Sequence, residues 1–347
     1  MTTLLSRRDV ERLLTPQECI AAVEDAFRKL AEGKVPPPGI LGMQAGDGSF
    51  HVKAGFLTLD QPYFAAKLNA NFPQNGTRHG LPTIQGAVIL CDAANGVPLA
   101  IMDSMSITAL RTAAASAVAA KCLARRDCET ALICGCGGQA AAQVRALLGV
   151  RKPRLLWTYD SDGARAAAFA ASLGKELGID IRAAARLEDA VAASQIVVTC
   201  TTSRRFFITR SMVQPGTFIA AVGADHEDKQ EIEPALLAEA KLVTDVTEQA
   251  CRIGDLHHAI AAGVMTRESV HAELGEVVAG LKPGRVLDDE ITVFDSTGTG
   301  LQDVAAAIAA YRRALDENAG STFRFTTNED TSCISAQPRV SRSASLP

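Results

Sequence analysis

The rhythm of hydrophobic and polar positions changes along the chain. Ile20, Val23, Phe27 and Leu30 recur at helical spacing behind a start signal: Thr15 caps, Pro16 fits the first turn and Glu18 completes a capping box. Gly33 can end that helix, and Pro36, Pro37 and Pro38 force an extended connector. From Ile40 to Leu99, strand-like runs alternate with turn signals such as Gly46-Asp47-Gly48, Pro73-Gln74-Asn75-Gly76 and Asn95-Gly96. This pattern predicts an antiparallel or mixed sheet. Ser106 to Arg126 is Ala-rich and predicts a long helix able to pack tightly between layers. From Cys128 to Phe294, apolar runs alternate with helical segments, with strands expected over 131–134, 155–159, 196–201, 217–222, 241–246 and 291–294. Such alternation predicts an α/β fold with helices on both faces of a parallel sheet. Val304 to Leu315 predicts a last amphipathic helix that returns the chain to its first domain, and 321–347 are expected to form a loosely ordered tail.

One stretch organises this pattern. The run Ala131-Leu132-Ile133-Cys134 breaks into Gly135-x-Gly137-x-x-Ala140 and feeds an Ala- and Leu-rich helix. Gly135 allows a tight turn, Gly137 lets a phosphate approach the backbone, and Ala140 lets the helix sit on its strand. The next apolar run ends at Asp160, near the spacing of a ribose-binding carboxylate. Together these predict a Rossmann-type doubly wound domain that binds a dinucleotide. A ligand-free strand–helix turn is the alternative. A carboxylate at Asp160 favours the free ribose hydroxyls of NAD and repels the extra phosphate of NADP, which stays as the second choice.

With 347 residues there is room for two domains. Net charge is −4, and no Lys/Arg-rich run or membrane-length apolar span stands out. Neither nucleic acid nor a membrane is therefore an expected partner. Nine scattered cysteines without a Cys-x-x-Cys, and an N-terminal stretch unlike a secretion signal, fit a reducing cytoplasm. No metal is expected. His257 and His258 are adjacent, so on a helix their rings point apart. His271-Ala272-Glu273 lacks the Pro-Cys-x-x-Cys partner of a zinc deaminase, and no Gly-x-Ser-x-Gly suggests a hydrolase.

Several residues carry candidate chemistry. Lys67, amid strand-like residues, is either a solvated strand lysine or a half-buried one that needs a partner; Lys53 has the same ambiguity. Asp225 ends an apolar run and stands where parallel sheets place their ligands, as general acid or base or as a helix N-cap. Arg111, with Thr112 near a helix start, implies a local anion: a substrate carboxylate, or Asp103. The Asp295-Ser296-Thr297-Gly298 stretch could face the dinucleotide or form a simple turn.

These residues together resemble the ornithine cyclodeaminase/mu-crystallin family across nearly all of Thr15 to Leu315. The matching stretches are Ala66-Lys67 with Asn71-Phe72-Pro73, Leu81 to Gly86, Met102-Asp103-Ser104 through Thr108 to Ala115, Gly135-x-Gly137, Val222-Gly223-Ala224-Asp225 with Lys229-Gln230-Glu231, Gly254-Asp255-Leu256, and Phe294 to Gly298. The resemblance implies a substrate-binding and dimerisation domain from 1–127 and 298–320, an inserted dinucleotide-binding domain over 128–297, and a homodimer. It implies that Lys67 and Asp225 face each other across a cleft as catalytic residues while Arg111 clamps a substrate carboxylate. It further implies that Thr112, Gly135, Gly137, Gly138, Gln139, Asp160, Thr201, Val222, Gly223, Ser296, Thr297 and Gly298 hold the cofactor. Two positions depart from the family. Gly39 stands where an arginine often follows the proline run, with Lys53 a candidate substitute. His51 stands where true cyclodeaminases have a glutamate for the ornithine side chain. Both departures favour an imine or ketimine reductase, or an amino-acid dehydrogenase, acting on a small molecule. Ornithine cyclodeaminase and a low-turnover binding protein are the alternatives.

Overall fold

Both ends of the chain meet in one sheet. The computed structural model describes residues 1–325. Its seven-stranded mixed sheet runs in the order Ser321–Phe323, Thr2–Leu5, Pro98–Asp103, Ile84–Asp92, Pro62–Asn71, Gly48–Thr58 and Gly39–Ala45. The last five are antiparallel neighbours, whereas Thr2–Leu5 runs parallel to Pro98–Asp103. Alternation along the strands puts Leu57, Tyr63, Ala65, Val88 and Leu90 on a buried face. The helices Ser104–Leu123 and Gly300–Asp316 pack there, and Pro16–Ala31 packs against both. Leu41, Phe56 and Leu68 stay exposed on the strands.

The helix Gly300–Asp316 lies hard against the sheet. A Cβ on Gly300 would stand 2.2 Å from the Ala54 carbonyl oxygen, so only glycine permits this approach. The helix Ser104–Leu123 buries Ala113, Ala114, Ala115, Ala117, Ala119 and Ala120, which explains why an Ala-rich sequence was needed between layers. Its side chains add little bulk, so the second sheet closes onto it at Phe218–Ala221 and Thr292–Asp295.

That second sheet has eight parallel strands in the order Ala272–Glu273, Lys241–Thr244, Thr292–Asp295, Phe218–Ala221, Ile196–Thr199, Thr130–Cys134, Leu155–Tyr159 and Asp180–Ala183. The chain departs in opposite directions on either side of Thr130–Cys134, which creates the crevice where such folds take ligands. The six strands expected from the sequence are present, with ends shifted by no more than two residues. Asp180–Ala183 and Ala272–Glu273 were not foreseen; both are short edge strands with little apolar pattern. The tail expectation needs correcting at its start. Ser321–Phe323 pairs antiparallel with Thr2–Leu5, because Gly320 turns the chain with φ of 85°. The rest of that expectation, 326–347, lies outside the described residues.

Candidate active site in the inter-sheet cleft

The turn after Thr130–Cys134 has the form its sequence requires. Gly135 adopts φ of 93°, and a Cβ there would stand 2.9 Å from Cys200 O and Thr201 Cγ2. A Cβ added at Gly137 or Gly138 would meet nothing within 4 Å, so their backbone is open to an approaching group. The helix Ala140–Leu148 starts directly behind them. The side-chain oxygens of Gln139, Thr112 and Ser296 are buried without a partner. An orphaned Gln139 oxygen beside an open glycine turn fits a pyrophosphate-bearing ligand. Asp160 is more engaged than its sequence suggested. Its carboxylate accepts from the N–H groups of Cys136 and Asp162, each at 2.9 Å, and Arg165 lies 3.6 Å away. Burial acts to raise its pKa, but those N–H groups and Arg165 outweigh it and hold the group below the usual range.

Beneath the loops lie carboxylates that sequence reasoning passed over. Glu231 is fully buried and accepts from Thr199 Oγ1 at 2.6 Å, Thr201 N at 2.7 Å, Thr201 Oγ1 at 2.6 Å and Gly223 N at 2.7 Å. It therefore ties the loop after Ile196–Thr199 to the loop after Phe218–Ala221, which carries Val222, Gly223 and Asp225. Asp255 in turn accepts from the N–H groups of Glu231 and Ile232. Asp245 accepts from Thr297 Oγ1 at 2.7 Å and Gly298 N at 2.6 Å, fixing the third loop. Burial raises the pKa of Glu231 and Asp245 and pushes Asp295 to about 7.

On the opposite wall stands a buried basic cluster. Lys53 and Lys67 are direct cross-strand partners, and Arg111 comes from the Ala-rich helix; all three are at least nine-tenths buried. Lys67 Nζ and Arg111 Nε both donate to Asp303 Oδ1 at 2.9 Å, and Arg111 Nη1 donates to Gln302 Oε1 at 2.8 Å. Burial first, then the positive Arg111, pulls Lys67 down to about 7, against the pull of Asp303. Lys53 has no carboxylate partner; its ammonium donates to the carbonyls of Thr297 at 3.0 Å and Gly298 at 2.8 Å. Gly298 has φ of 71°, and a Cβ there would stand 2.3 Å from Arg111 Nη1. The basic cluster thus abuts the C-terminal edge of the parallel sheet.

Asp225 lies in the loop beyond that edge, half exposed, with Lys229 Nζ at 2.6 Å. Crowding by protein acts to raise its pKa, but Lys229, then Lys53 and Arg111, hold the carboxyl below its ordinary value. His51 is half-buried, accepts or donates a hydrogen bond at 3.0 Å to Ser49 Oγ, and its ring lies 6.3 Å from that of His226. Burial, then Lys53, pulls His51 down.

Two sequence expectations change. Arg111 does not pair with Asp103, which instead caps the helix Ser104–Leu123 by accepting from Ser106 N. Lys53 does not stand free as a replacement for the missing arginine at Gly39; two carbonyls of the Thr297-Gly298 loop hold it. Lys67 and Asp225, expected to face each other across a cleft, each have their own ion partner, Asp303 and Lys229. Asp303 and Gln302 were missed. The available signal was an acid in the first turn of a helix whose neighbours, Leu301 and Val304 to Ile308, are all apolar. For Glu231 no signal existed beyond its place in the matched Lys229-Gln230-Glu231 stretch.

Known proteins share this fold. The sequence model of the ornithine cyclodeaminase/mu-crystallin family matches residues 1–318. An archaeal alanine dehydrogenase, solved as a dimer with bound NAD, superposes with a TM-score of 0.89 at 39% identity, covering 94% of this chain and 99% of that one. The Δ1-pyrroline-2-carboxylate reductase of Thermococcus litoralis, solved with NADH and L-proline, gives 0.88 at 36% identity, covering 93% and 100%. The iminosuccinate reductase of Paracoccus denitrificans is 35% identical over 314 residues, 90% of this chain and 96% of that protein.

Proposed function

The chain belongs to the ornithine cyclodeaminase/mu-crystallin family, and from that premise we propose that it is an NAD-dependent oxidoreductase that delivers hydride to the carbon of a C=N bond beside a carboxylate. The dinucleotide supplies the hydride. The tight turn at Gly135 and the open backbone at Gly137 and Gly138, with Gln139 and Thr112, hold the pyrophosphate, and Asp160 takes the ribose. Thr201, Val222, Gly223, Ser296, Thr297 and Gly298 line the inner end, braced by Glu231 and Asp245.

Arg111 and Lys67 hold the substrate carboxylate. Their one shared counter-ion, Asp303, leaves a positive charge unmatched in a buried setting, and that observation carries the reading. A buried cation excess is costly unless an anion joins it. Asp225 faces the imine nitrogen and supports its protonated form, so that the carbon is electrophilic when hydride arrives. Residues 1–127 and 298–320 form the substrate-binding part and 128–297 the dinucleotide-binding part. The exposed Leu41, Phe56 and Leu68 suit a homodimer interface, and the archaeal relative was solved as a dimer. Among the described residues, eight cysteines are free thiols and no helix is long and apolar enough to cross a membrane. We place the protein in the cytoplasm.

The test is a screen of NADH oxidation with cyclic imines and with 2-oxo acids plus amines, repeated on Lys67→Ala and Asp225→Ala. Both variants should lose turnover yet still bind NADH. Retained turnover in either would remove that residue from the reaction.

A further inference from the structure

We propose that the substrate's side chain ends in a neutral hydrogen-bonding group, a hydroxyl or a carboxamide, and that Asn69 and Ser104 receive it. This rests on the reductase reading above and asks which imine the site prefers.

Two buried oxygens mark the place. Asn69 stands in the strand Pro62–Asn71, two residues beyond Lys67 and on the same face. Its neighbours in the sheet are His51 on one side and Gly86 on the other. A Cβ added at Gly86 would stand 2.5 Å from Asn69 Oδ1 and 2.8 Å from Ser104 Oγ. Both oxygens therefore lie within 2.8 Å of one point, on the side of Asn69 away from His51. Neither has a hydrogen-bond partner among the described residues, and Ser104 is fully buried. The Leu68 carbonyl oxygen, 2.0 Å from that point, closes its sheet side. Residue 86 is thereby held to glycine, and an atom bridging Asn69 and Ser104 has to sit on the helix side. A buried polar atom left unpaired is costly, and one ligand group that pairs with both oxygens removes that cost at two places.

The pocket is aligned with the carboxylate clamp. In the helix Ser104–Leu123, Ser104, Thr108 and Arg111 recur at i, i+4 and i+7 on one face, and Thr108 Oγ1 is a third buried oxygen without a partner. Strand and helix thus keep step. Lys67 and Arg111 share Asp303 at one end, and Asn69 and Ser104 share the gap beside Gly86 at the other. Two strand residues span about 7 Å and seven helix residues about 10 Å, so the gap stands one short side chain away from the clamp. Its charged neighbours are engaged elsewhere. Asp103 turns its carboxylate to Ser106 and Arg7, and Lys67 turns to Asp303. His51, beyond Asn69, is held toward its neutral form by burial and then Lys53. A charged side-chain group would be buried there without a counter-ion, which is costly. An alkyl group would leave both oxygens unpaired. A hydroxyl or a carboxamide donates and accepts hydrogen bonds without bringing charge.

The experiment runs the reaction from the amino acid, where hydride leaves the α-carbon for NAD⁺ and the amine becomes the imine. NADH formation is followed on pairs of equal shape: L-homoserine against L-norvaline, and L-asparagine against L-leucine. L-aspartate is the charged counterpart of asparagine. The polar member of at least one pair should show kcat/KM at least about tenfold higher, since unpaired buried groups discriminate on that order or more. Aspartate should fall below asparagine. Asn69→Val combined with Ser104→Ala should bring the ratio to about one by lowering the rate of the polar member. A second arm needs no turnover and uses the intact enzyme: with NADH present, 2,4-dihydroxybutyrate should raise the unfolding temperature more than 2-hydroxypentanoate. Ratios near one in both pairs, aspartate above asparagine, a ratio unchanged in the double variant, or equal stabilisation by the two hydroxy acids would overturn the proposal. No NADH from any amino acid, alongside selective stabilisation by 2,4-dihydroxybutyrate, would instead overturn the reductase reading and leave the polar pocket standing.

Discussion

Replacing Asp303 by asparagine removes one negative charge from between two buried cations without changing shape. Asp303 Oδ1 accepts from Lys67 Nζ and Arg111 Nε at 2.9 Å each, and all three residues are almost fully buried. Breaking a buried ion pair by removing one partner costs about 3–5 kcal/mol, because the other charge is left uncompensated. The unfolding temperature should fall accordingly. The more specific consequence concerns Lys67. It already titrates at about 7, with burial and Arg111 pulling down and Asp303 pulling up. Loss of an adjacent opposite charge moves a pKa by about 1–3 units, so Lys67 in Asp303→Asn should titrate at roughly 4–6. If the ammonium is the form that holds the substrate carboxylate, kcat/KM falls as pH rises through the Lys67 pKa. The descending limb should therefore shift to lower pH in Asp303→Asn. At pH 7 the protonated fraction drops by about fivefold or more, and kcat/KM with it. The assay is a pH profile of kcat/KM on one imine substrate in both proteins, so that the imine's own titration cancels. A uniform loss at all pH values would give Asp303 a packing role only and refute the reasoning.

Three further outcomes follow from the buried polar groups and the open sheet face. Asp295 is raised from 3.8 to about 7 by burial above all, so the native state holds its proton more tightly than the unfolded chain. Its stabilising contribution is complete below about pH 4 and is lost as pH climbs through 7; Asp295→Asn should raise the unfolding temperature at pH 8 but not at pH 4, and an equal gain at both would contradict this. Glu231→Gln turns an acceptor into a donor facing Thr201 N or Gly223 N, and a buried unsatisfied donor costs about 1–3 kcal/mol. NADH should bind about tenfold more weakly by titration calorimetry, with faster amide exchange at Thr201 and Gly223 in the ligand-free protein; lower thermal stability with unchanged affinity would show the brace to be merely structural. Leu68→Arg puts a charge on the exposed face beside Leu41, and sedimentation should show a dimer at least about 100-fold weaker, whereas an unchanged dimer would place the interface elsewhere.

Much of the fold was legible because its signals are local. The Gly135-x-Gly137 turn, the alternating apolar runs and the capping box at Thr15 each declare themselves within a few residues, and each is found where expected. The site was legible only by halves. Lys67 and Arg111 were visible as charges in apolar surroundings, but their shared partner Asp303 is 236 residues from Lys67 and 192 from Arg111. No spacing rule reaches so far. Lys53 misled for the same reason, since its partners are backbone carbonyls 244 and 245 residues away. Glu231 was hidden because its acceptor role serves the backbone of two loops that only the parallel sheet brings together. Short edge strands such as Ala272–Glu273 escape notice because the sheet, and not their own residues, makes them strands.

Hydride transfer to an imine carbon is best tested by following the atom itself. The enzyme would be incubated with NADH deuterated at the transferable C4 position, a 2-oxo acid and ammonium, and the amino-acid product weighed by mass spectrometry. One deuterium at the α-carbon, in step with NADH consumed and absent with Lys67→Ala or Asp225→Ala, is the predicted result. Ammonia released from a diamino acid with no net NADH consumed, and no label in any product from the oxo acids, would contradict it.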